Sequence, residues 1–179
     1  TQGKVRYIGV SNFKAWQLMK ALGISDQQGW IRFTAAQYQY SLVSREIEYE
    51  FSELCAEEGL GIIPWSPLGG GFLSGKYKRD QRPEDFSNGR IGGMPDHAEE
   101  SWEKRNKIRN WDALDVLGEI AESRNVSYAT VALAWLRSKS VVASTIIGVR
   151  TMEQLEDNLN AAELDLSEEE ILRLDAVSE

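Results

Sequence analysis

LGIIPWSPLGGGFLSGKY, at residues 60–77, joins a continuous apolar run to a loop that contains three consecutive glycines. An uninterrupted apolar run predicts a β-strand that is buried on both faces, as in a parallel sheet covered by helices. Glycines directly beyond such a strand let the backbone approach a ligand closely. The stretch therefore predicts a ligand-binding loop at the carboxyl end of a buried strand.

Three further runs are typical of buried strands: VRYIGV at 5–10, IRFTAAQY at 31–38 and ASTIIGV at 143–149. A helical pattern follows each of the four runs, and strands that alternate with helices predict parallel βα units with right-handed crossovers. This order predicts either an open doubly wound sheet or part of a barrel. Ligands bind at the carboxyl ends of the strands in both folds. No GxGxxG motif follows any run, so the usual dinucleotide fingerprint is absent.

Capping residues and apolar spacing predict where the first two helices lie. Ser11 or Asn12 is expected to cap a helix that runs to about Leu22. A second helix is expected after Ser44, with apolar residues at helical spacing on one face. That face consists of Ile47, Phe51, Leu54 and Cys55.

Residues 78–106 are polar and rich in charge, and we predict a long surface loop there. Two helices are predicted within residues 111–139. The second of them, ATVALAWL at 129–136, is apolar all round and is expected to be buried. Ser167 and Glu170 have the spacing of a capping box for a last helix. The first of the two helices carries an apolar stripe of Trp111, Leu114, Leu117 and Ala121.

Composition describes an ordinary globular domain of 179 residues, 42% hydrophobic and 27% charged. A formal charge of −8 argues against nucleic acid or an anionic membrane as the main partner. No apolar run approaches the ~20 residues of a membrane span, and no secretory leader is evident. The single cysteine, Cys55, fits a reducing compartment, so a cytoplasmic protein is expected. The sequence begins without Met, which is compatible with a piece of a longer protein.

The glycine loop has three possible interpretations. GGFLSGK at 70–76 satisfies GxxxxGK, but Tyr77 stands where the phosphate loop of nucleotide hydrolases needs a Ser or Thr hydroxyl for magnesium. No helical period follows Lys76, which also disfavours a hydrolase. A glycine-rich turn without a ligand remains open. Trp65, if it is not simply a core residue, offers a flat platform beside glycines and a lysine, which suits a ligand with a ring and phosphates.

Four segments together resemble one protein family. They are GKVRYIGVSNF (3–13), QYQYSLVSREIE (37–48), IIPWSPLGGGFLSGKY (62–77) and STIIGVRTMEQLEDNL (144–159). In order and spacing they resemble the C-terminal half of aldo-keto reductases. The resemblance implies a (β/α)8 TIM barrel of which this chain, residues 1–179, supplies the last four βα units. It also implies NADPH bound in an extended conformation without a Rossmann motif, and helices at 111–139 that elaborate the barrel before its last strand.

The resemblance implies roles for matching residues. Ser11, Asn12 and Gln37 match residues that hydrogen-bond the nicotinamide carboxamide. Trp65 matches the aromatic residue that stacks on the nicotinamide ring, usually a tyrosine in the family.

The phosphate-binding positions also match. Arg90 loosely matches an arginine beyond the pyrophosphate loop. The loop over the pyrophosphate is matched by Ser66, Pro67, Leu68, Gly69, Gly70 and Lys76. The pocket for the adenosine and its 2′-phosphate is matched by Gly148, Arg150, Gln154, Asp157 and Asn158.

Three of these matches, Gln154, Ser11 and Asn12, also have structural explanations. Arg150 precedes a helix start, where free N–H groups favour a phosphate and a guanidinium would select NADP over NAD. Thr151 and Gln154, however, also form a T-x-x-Q capping pattern, so Gln154 could serve the helix alone. Ser11 and Asn12 could likewise be simple helix caps.

No catalytic residue is expected in this chain, and no metal site. Reduction in the family needs a tyrosine acid, a lysine, an aspartate and a histidine, all on the first four barrel strands. The only histidine, His97, lies in the polar segment and is expected to be solvated. The expected partners are a small carbonyl substrate and the missing N-terminal half, because a half-barrel leaves strand edges and an apolar face uncovered.

A second hypothesis is a non-catalytic, NADPH-binding regulatory protein of the same fold. Ion-channel partners in the family also have WSPL and SGKY in their loops. SNF at 11–13 argues against that branch, which has Ser-Arg-Trp there. The phosphate-loop hydrolase is the remote alternative.

Overall fold

Three parallel strands form the sheet of this chain in a computed structural model that describes residues 2–85 and 89–179. β1 (Ile8–Ser11), β2 (Phe33–Gln39) and β3 (Gly61–Trp65) lie side by side in that order. Ser11 lies opposite Gln37, and Gln39 lies opposite Trp65, so the carboxyl ends of all three strands lie together at one end of the sheet. The predicted parallel α/β arrangement is confirmed for these three strands, with bounds shifted by a few residues.

Seven α-helices and four short 3₁₀ turns surround this sheet in the described ranges. The α-helices are α1 (Ala15–Gln28), α2 (Phe51–Glu57), α3 (Trp102–Arg105), α4 (Ile108–Arg124), α5 (Tyr128–Arg137), α6 (Met152–Leu159) and α7 (Glu168–Ser178). The 3₁₀ turns are Glu46–Tyr49, Gly69–Ser74, Ile91–Gly93 and Asn160–Ala162.

The predicted fourth strand at 143–149 is not a regular strand. The segment runs parallel to β3 through one bridge, between Ile62 and Val142, and through backbone bonds that include Ala143 N to Ile62 O at 2.9 Å. Residues two apart along a strand face the same neighbour, so the nitrogen of Pro64 faces this segment as that of Ile62 does. Proline has no N–H to donate. The ladder is therefore interrupted after a single bridge, and four complete βα units are not confirmed.

The first helix does not begin where its predicted caps lie. The N-cap residue of α1 is Lys14, whose backbone N–H donates to the Gln17 side chain, and the helix continues to Gln28 rather than Leu22. Asn12 has a left-handed φ of 57°, and the Ser11 hydroxyl donates to the carbonyl of Gln37 on the next strand. The capping alternative for Ser11 and Asn12 is therefore wrong.

The helix predicted after Ser44 is divided in two. A 3₁₀ turn is followed by α2, and Glu50 between them has a φ of −137°, outside the helical range. Ile47 and Cys55 are buried as predicted, whereas Phe51 and Leu54 are only half-buried.

The core joins buried residues of the sheet to buried residues of α1, α2, α4, α5 and α7. Every residue of 129–136 in α5 is buried, as are the four stripe residues of α4, so both predictions are confirmed. The Ser167–Glu170 capping box of α7 is present. The predicted surface loop at 78–106 includes α3, and Trp102 within it is buried against Trp111. Residues 86–88 of that loop lie outside the described residues.

The outer edge of β1 has no strand paired to it among the described residues. Large apolar side chains directly before β1, on α1 and directly after α1 are exposed: Tyr7 by 72%, Trp16 by 62% and Trp30 by 61%. A lone edge strand with an exposed apolar surface is a site where another element of structure packs. Within the described part of the chain, no helix is long and apolar enough to cross a membrane.

We predict that Gly61→Ala destabilises the chain by about 1–3 kcal/mol. A Cβ at Gly61 would lie 2.6 Å from the Cβ of Ala143, so the segment beside β3 must move. The matched control is Gly23→Ala, inside α1, where a Cβ meets nothing within 4 Å. That control is expected to be neutral or to stabilise by about 0.5–1 kcal/mol. Urea unfolding of both variants measures the difference, and equal stability of the two would contradict the close approach.

Candidate functional site

The loop after β3 is built from backbone conformations that favour glycine. Gly69, Gly70 and Gly71 have φ values of 57°, 70° and 91°. Ser66 also has a positive φ, of 55°, and its hydroxyl accepts a hydrogen bond from the Gly70 N–H at 3.1 Å. Side chains are rarely tolerated in this left-handed region, so the run of three glycines has a backbone reason at each position. We call residues 66–71 the glycine loop.

A cleft of about 730 Å³, which we call the first cleft, lies against the glycine loop. It brings together most of the residues expected to bind a cofactor. These are Trp65, Ser66, Pro67, Leu68, Gly70, Lys76, Arg90, Gly148, Arg150, Gln154, Asp157 and Asn158. Three chain segments that are far apart in sequence therefore converge on one concave surface.

Sequence reasoning missed other residues that line the first cleft. These are Gly71, Ser74, Gly89, Glu100, Ala129, Ile146 and Ile147. Gly71 belongs to the glycine run and Ile146 to the matched segment STIIGV, so the sequence offered grounds for predicting both as part of the site. For Glu100, in the polar segment, it offered none. It is only 5% exposed, and its carboxylate pairs with Arg90 at 3.3 Å.

Two cations of the first cleft are free of carboxylate partners. Neither Lys76 nor Arg150 forms an ion pair within residues 2–85 and 89–179. Burial lowers the pKa of Lys76, and the positive charge of Arg150 lowers it further. Two cations that repel one another in a cleft create a site that an anion stabilises.

Helix α6 starts at the mouth of the first cleft and uses two predicted residues for its own structure. Thr151 accepts a hydrogen bond from the Gln154 N–H, as in a capping box. The Gln154 side chain accepts from the Arg150 N–H at 2.9 Å rather than from Thr151. The side-chain oxygen of Gln154 is therefore bonded to the backbone at the helix start, and the N–H groups of its side-chain amide remain free to donate.

Asp157 is held by the helix that packs beside it. Its carboxylate accepts a hydrogen bond from the hydroxyl of Ser127 at 2.6 Å. The hydroxyl of Thr130, at the start of α5, donates to the backbone carbonyl of Asp157 at 3.0 Å and lies 3.3 Å from its carboxylate. These contacts tie α6 to the buried helix. Asp157 thus lines the first cleft while its carboxylate is bonded to α5, which holds α6 in place.

Four predicted residues do not line the first cleft. Ser11 and Gln37 are paired at the carboxyl ends of β1 and β2. Gly69 is buried under the loop, where a Cβ would lie 2.7 Å from Val43. Asn12 lines a neighbouring cleft of about 570 Å³, which we call the second cleft, and Trp65 lines both clefts.

The second cleft was not predicted from the sequence. It contains the buried Arg105, whose pKa is lowered by burial and raised again by the nearby carboxylates Glu100, Glu46 and Glu99. The full lining is Asn12, Tyr38, Gln39, Val43, Ser44, Glu46, Ile47, Phe51, Trp65, Glu99, Lys104, Arg105, Lys107 and Arg109.

The tyrosines near the strand ends are held protonated. Burial raises the pKa of Tyr38 to about 12, and its hydroxyl donates to the carbonyl of Phe13. Burial and a hydrogen bond to Glu48 raise the pKa of Tyr40 as well. Such groups do not exchange a proton readily near neutral pH. Within the described residues, no group of three or more potential metal ligands is present.

The structure of residues 70–85 does not match the phosphate-binding loop of a nucleotide hydrolase. Tyr77 is buried where that loop needs a small hydroxyl, and no helix lies within residues 77–85. The glycine loop is instead a set of left-handed turns that ends before Lys76.

Comparison with known proteins relates the chain to a single protein family. A sequence model described as the aldo/keto reductase family matches residues 1–179. The chain is 36% identical over 172 residues to the uncharacterized oxidoreductase YrpG of Bacillus subtilis, covering 96% of this chain and 48% of YrpG. It is 34% identical over 175 residues to the protein tas of Escherichia coli, covering 98% of this chain and 48% of that protein.

A third relative is a putative aryl-alcohol dehydrogenase of Schizosaccharomyces pombe. It is 35% identical over 173 residues, covering 97% of this chain and 46% of the relative. The chain therefore spans about half the length of the curated relatives it matches.

We predict that Asp157→Ala lowers the free energy of unfolding by about 1–3 kcal/mol, because the hydroxyl of Ser127 loses its charged acceptor while that of Thr130 keeps the backbone carbonyl. The matched control is Glu156→Ala on the exposed side of the same helix, with an expected change within about 0.5 kcal/mol. Thermal unfolding without ligand measures both. Equal melting temperatures for the two variants would show that Asp157 has no structural role.

Proposed function

Because the chain belongs to the aldo/keto reductase family, we propose that it forms the C-terminal, cofactor-binding half of an NADPH-dependent enzyme that reduces aldehydes or ketones to alcohols. The observation that carries this proposal is the first cleft, in which a flat aromatic side chain, a glycine loop and two unpaired cations meet. A dinucleotide needs these three features, because it has a planar ring, a pyrophosphate and a charged far end.

The residues present fit the cofactor. Trp65 is proposed to stack on the nicotinamide, whose carboxamide would be bound by Ser11, Asn12 and Gln37. The glycine loop and Lys76 would hold the pyrophosphate, because a glycine backbone admits a close approach. A Cβ at Gly71 would lie 2.9 Å from the Nζ of Lys76, so a side chain there would crowd the cation. NADPH would supply the hydride for the reduction.

The far end of the first cleft is proposed to select NADPH over NADH. Arg150 directly precedes Thr151, the N-cap residue of α6, and its guanidinium forms no ion pair in the described parts of the chain. A guanidinium at a helix start suits the extra 2′-phosphate of NADPH. Gly148, Asn158 and the amide N–H groups of Gln154 would complete the pocket, and Arg90 would approach it from the polar segment.

The groups that exchange the substrate proton are proposed to lie outside this chain, in the missing half of the barrel. The tyrosines Tyr38 and Tyr40 are held protonated by burial, so neither suits that role. The open edge of β1, with its exposed apolar side chains, is the surface that the missing half would cover. A non-catalytic regulatory role would use the same cofactor site, and carbonyl reduction by the complete protein separates the two functions.

We predict that the chain binds NADPH more tightly than NADH and that Arg150→Ala weakens NADPH binding about 10- to 100-fold, because charge-assisted bonds to the 2′-phosphate are lost. NADH affinity should change less than about threefold. Quenching of tryptophan fluorescence in a titration measures both. Arg173→Ala, an exposed arginine on α7 that pairs with Glu119, is the matched control.

Equal affinity for the two cofactors would contradict the proposed 2′-phosphate site. If this chain binds neither cofactor, the titration is repeated with the missing half joined to it. Absence of binding and of NADPH oxidation with aldehydes in that complete protein would refute the proposed function.

A further inference from the structure

The second cleft is positively charged in a chain that is acidic as a whole. Its lining contains four basic side chains, Lys104, Arg105, Lys107 and Arg109, and two acidic ones, Glu46 and Glu99. The chain carries a formal charge of −8. A local excess of positive charge in a concave surface attracts anionic ligands.

Arg105 is the buried member of this group. It is 3% exposed, and its Nη1 donates to the carbonyl of Val43 and the hydroxyl of Ser44, both at 3.0 Å. It forms no ion pair within the ranges that the structure describes. The carboxylate of Glu100 acts on Arg105 electrostatically without an ion pair between them in the described residues, and its Oε1 is also buried without a hydrogen-bond partner there. A buried guanidinium whose hydrogen bonds go only to neutral acceptors is costly, since charges in protein interiors are normally paired.

The unsatisfied atoms of Arg105 share one edge. Nε and Nη2 are buried and have no hydrogen-bond partner among the described residues. These two nitrogens present parallel N–H bonds, the fork that binds the two oxygens of a carboxylate. The absence of a side chain at Gly69 leaves room beside this edge, because a Cβ there would lie 3.4 Å from Nε.

A second unpartnered donor lines the same cleft. The side-chain nitrogen Nε2 of Gln39 is buried and has no hydrogen-bond partner in the described part of the chain. Gln39 lies opposite Trp65 in the sheet, so this donor stands beside the aromatic residue that both clefts share. Unpaired donors on Arg105 and Gln39 indicate a ligand that supplies acceptor oxygens.

We propose that the second cleft binds the carboxylate of the carbonyl substrate, with Arg105 and Gln39 as its donors. This inference rests on the proposed function, in which Trp65 holds the nicotinamide at the boundary of the two clefts. The substrate class is then aldehydes or ketones that carry an acidic group. Lys104, Lys107 and Arg109 are exposed at the same cleft, so an anion that enters it meets positive charge.

The test uses the complete protein with NADPH and two aldehydes that differ in one charge, 4-carboxybenzaldehyde and methyl 4-formylbenzoate. The variant Arg105→Lys keeps the charge but removes the fork. Arg79→Lys is the matched control, because Arg79 pairs with Asp115 and lines neither cleft. Gln39→Leu removes an unpartnered donor without breaking a bond, and it keeps the test valid if Arg105→Lys does not fold.

We expect Arg105→Lys to lower kcat/KM for the acid about 10- to 100-fold and for the ester less than about threefold. Gln39→Leu is expected to act in the same direction but more weakly, and Arg79→Lys to change neither substrate. Equal losses for acid and ester would overturn the inference and leave the proposed function intact. So would a change confined to the KM for NADPH.

If neither aldehyde is reduced, binding alone decides the inference, and the proposed function is decided by the NADPH titration and the assay with other aldehydes. Benzoate and benzamide are then titrated against the tryptophan fluorescence of the same protein. Saturable binding of benzoate that Arg105→Lys weakens, without binding of benzamide, would support a carboxylate site in the second cleft. Equal binding of the two compounds, or of neither, would overturn it.

Discussion

The left-handed backbone after β3 is the constraint on which both clefts depend. Ser66 and the three glycines at 69–71 turn the chain sharply at the edge where the strands end. One side of this turn faces the first cleft through Gly70 and Gly71, and the other packs against Val43 and Arg105 through Gly69. A Cβ at any of the three glycines would meet a neighbour at 3.2 Å or less, so backbone geometry and space select glycine together.

Both clefts contain basic side chains, but in different surroundings. The first cleft holds Lys76 and Arg150, which form no ion pair within the described residues and repel one another, so a bound anion would stabilise it. The second cleft holds Arg105, which is buried with one edge unsatisfied. Between them stands Trp65, which offers a ring face and little polarity. An acidic chain thus places positive charge in both clefts.

Local sequence patterns predicted much of the fold because they report local physics. The apolar runs of β2 and β3, the all-apolar α5 and the Ser167–Glu170 cap follow from burial and capping alone. The fourth strand was overestimated, because its ladder depends on a partner, Pro64, that lacks a donor. The cap of α1 was misplaced because Asn12 adopts a left-handed turn that its sequence permits but does not require.

The first cleft could be predicted because its residues lie in segments that match a family in order and spacing. Arg105 and Glu100 could not, since charged residues in a polar segment usually face solvent and nothing local marks these two as buried. Their burial is decided by contacts with residues about 30 to 60 positions away in the chain.

Because no strand pairs with the outer edge of β1 among the described residues, association between copies of this chain should depend on its concentration. Unpaired backbone groups beside exposed tryptophans are a template for association between copies, so a chain whose edge stays uncovered would self-associate or aggregate as it accumulates. An element that covered that edge would therefore also suppress this association. Its presence during synthesis would set the yield of usable protein.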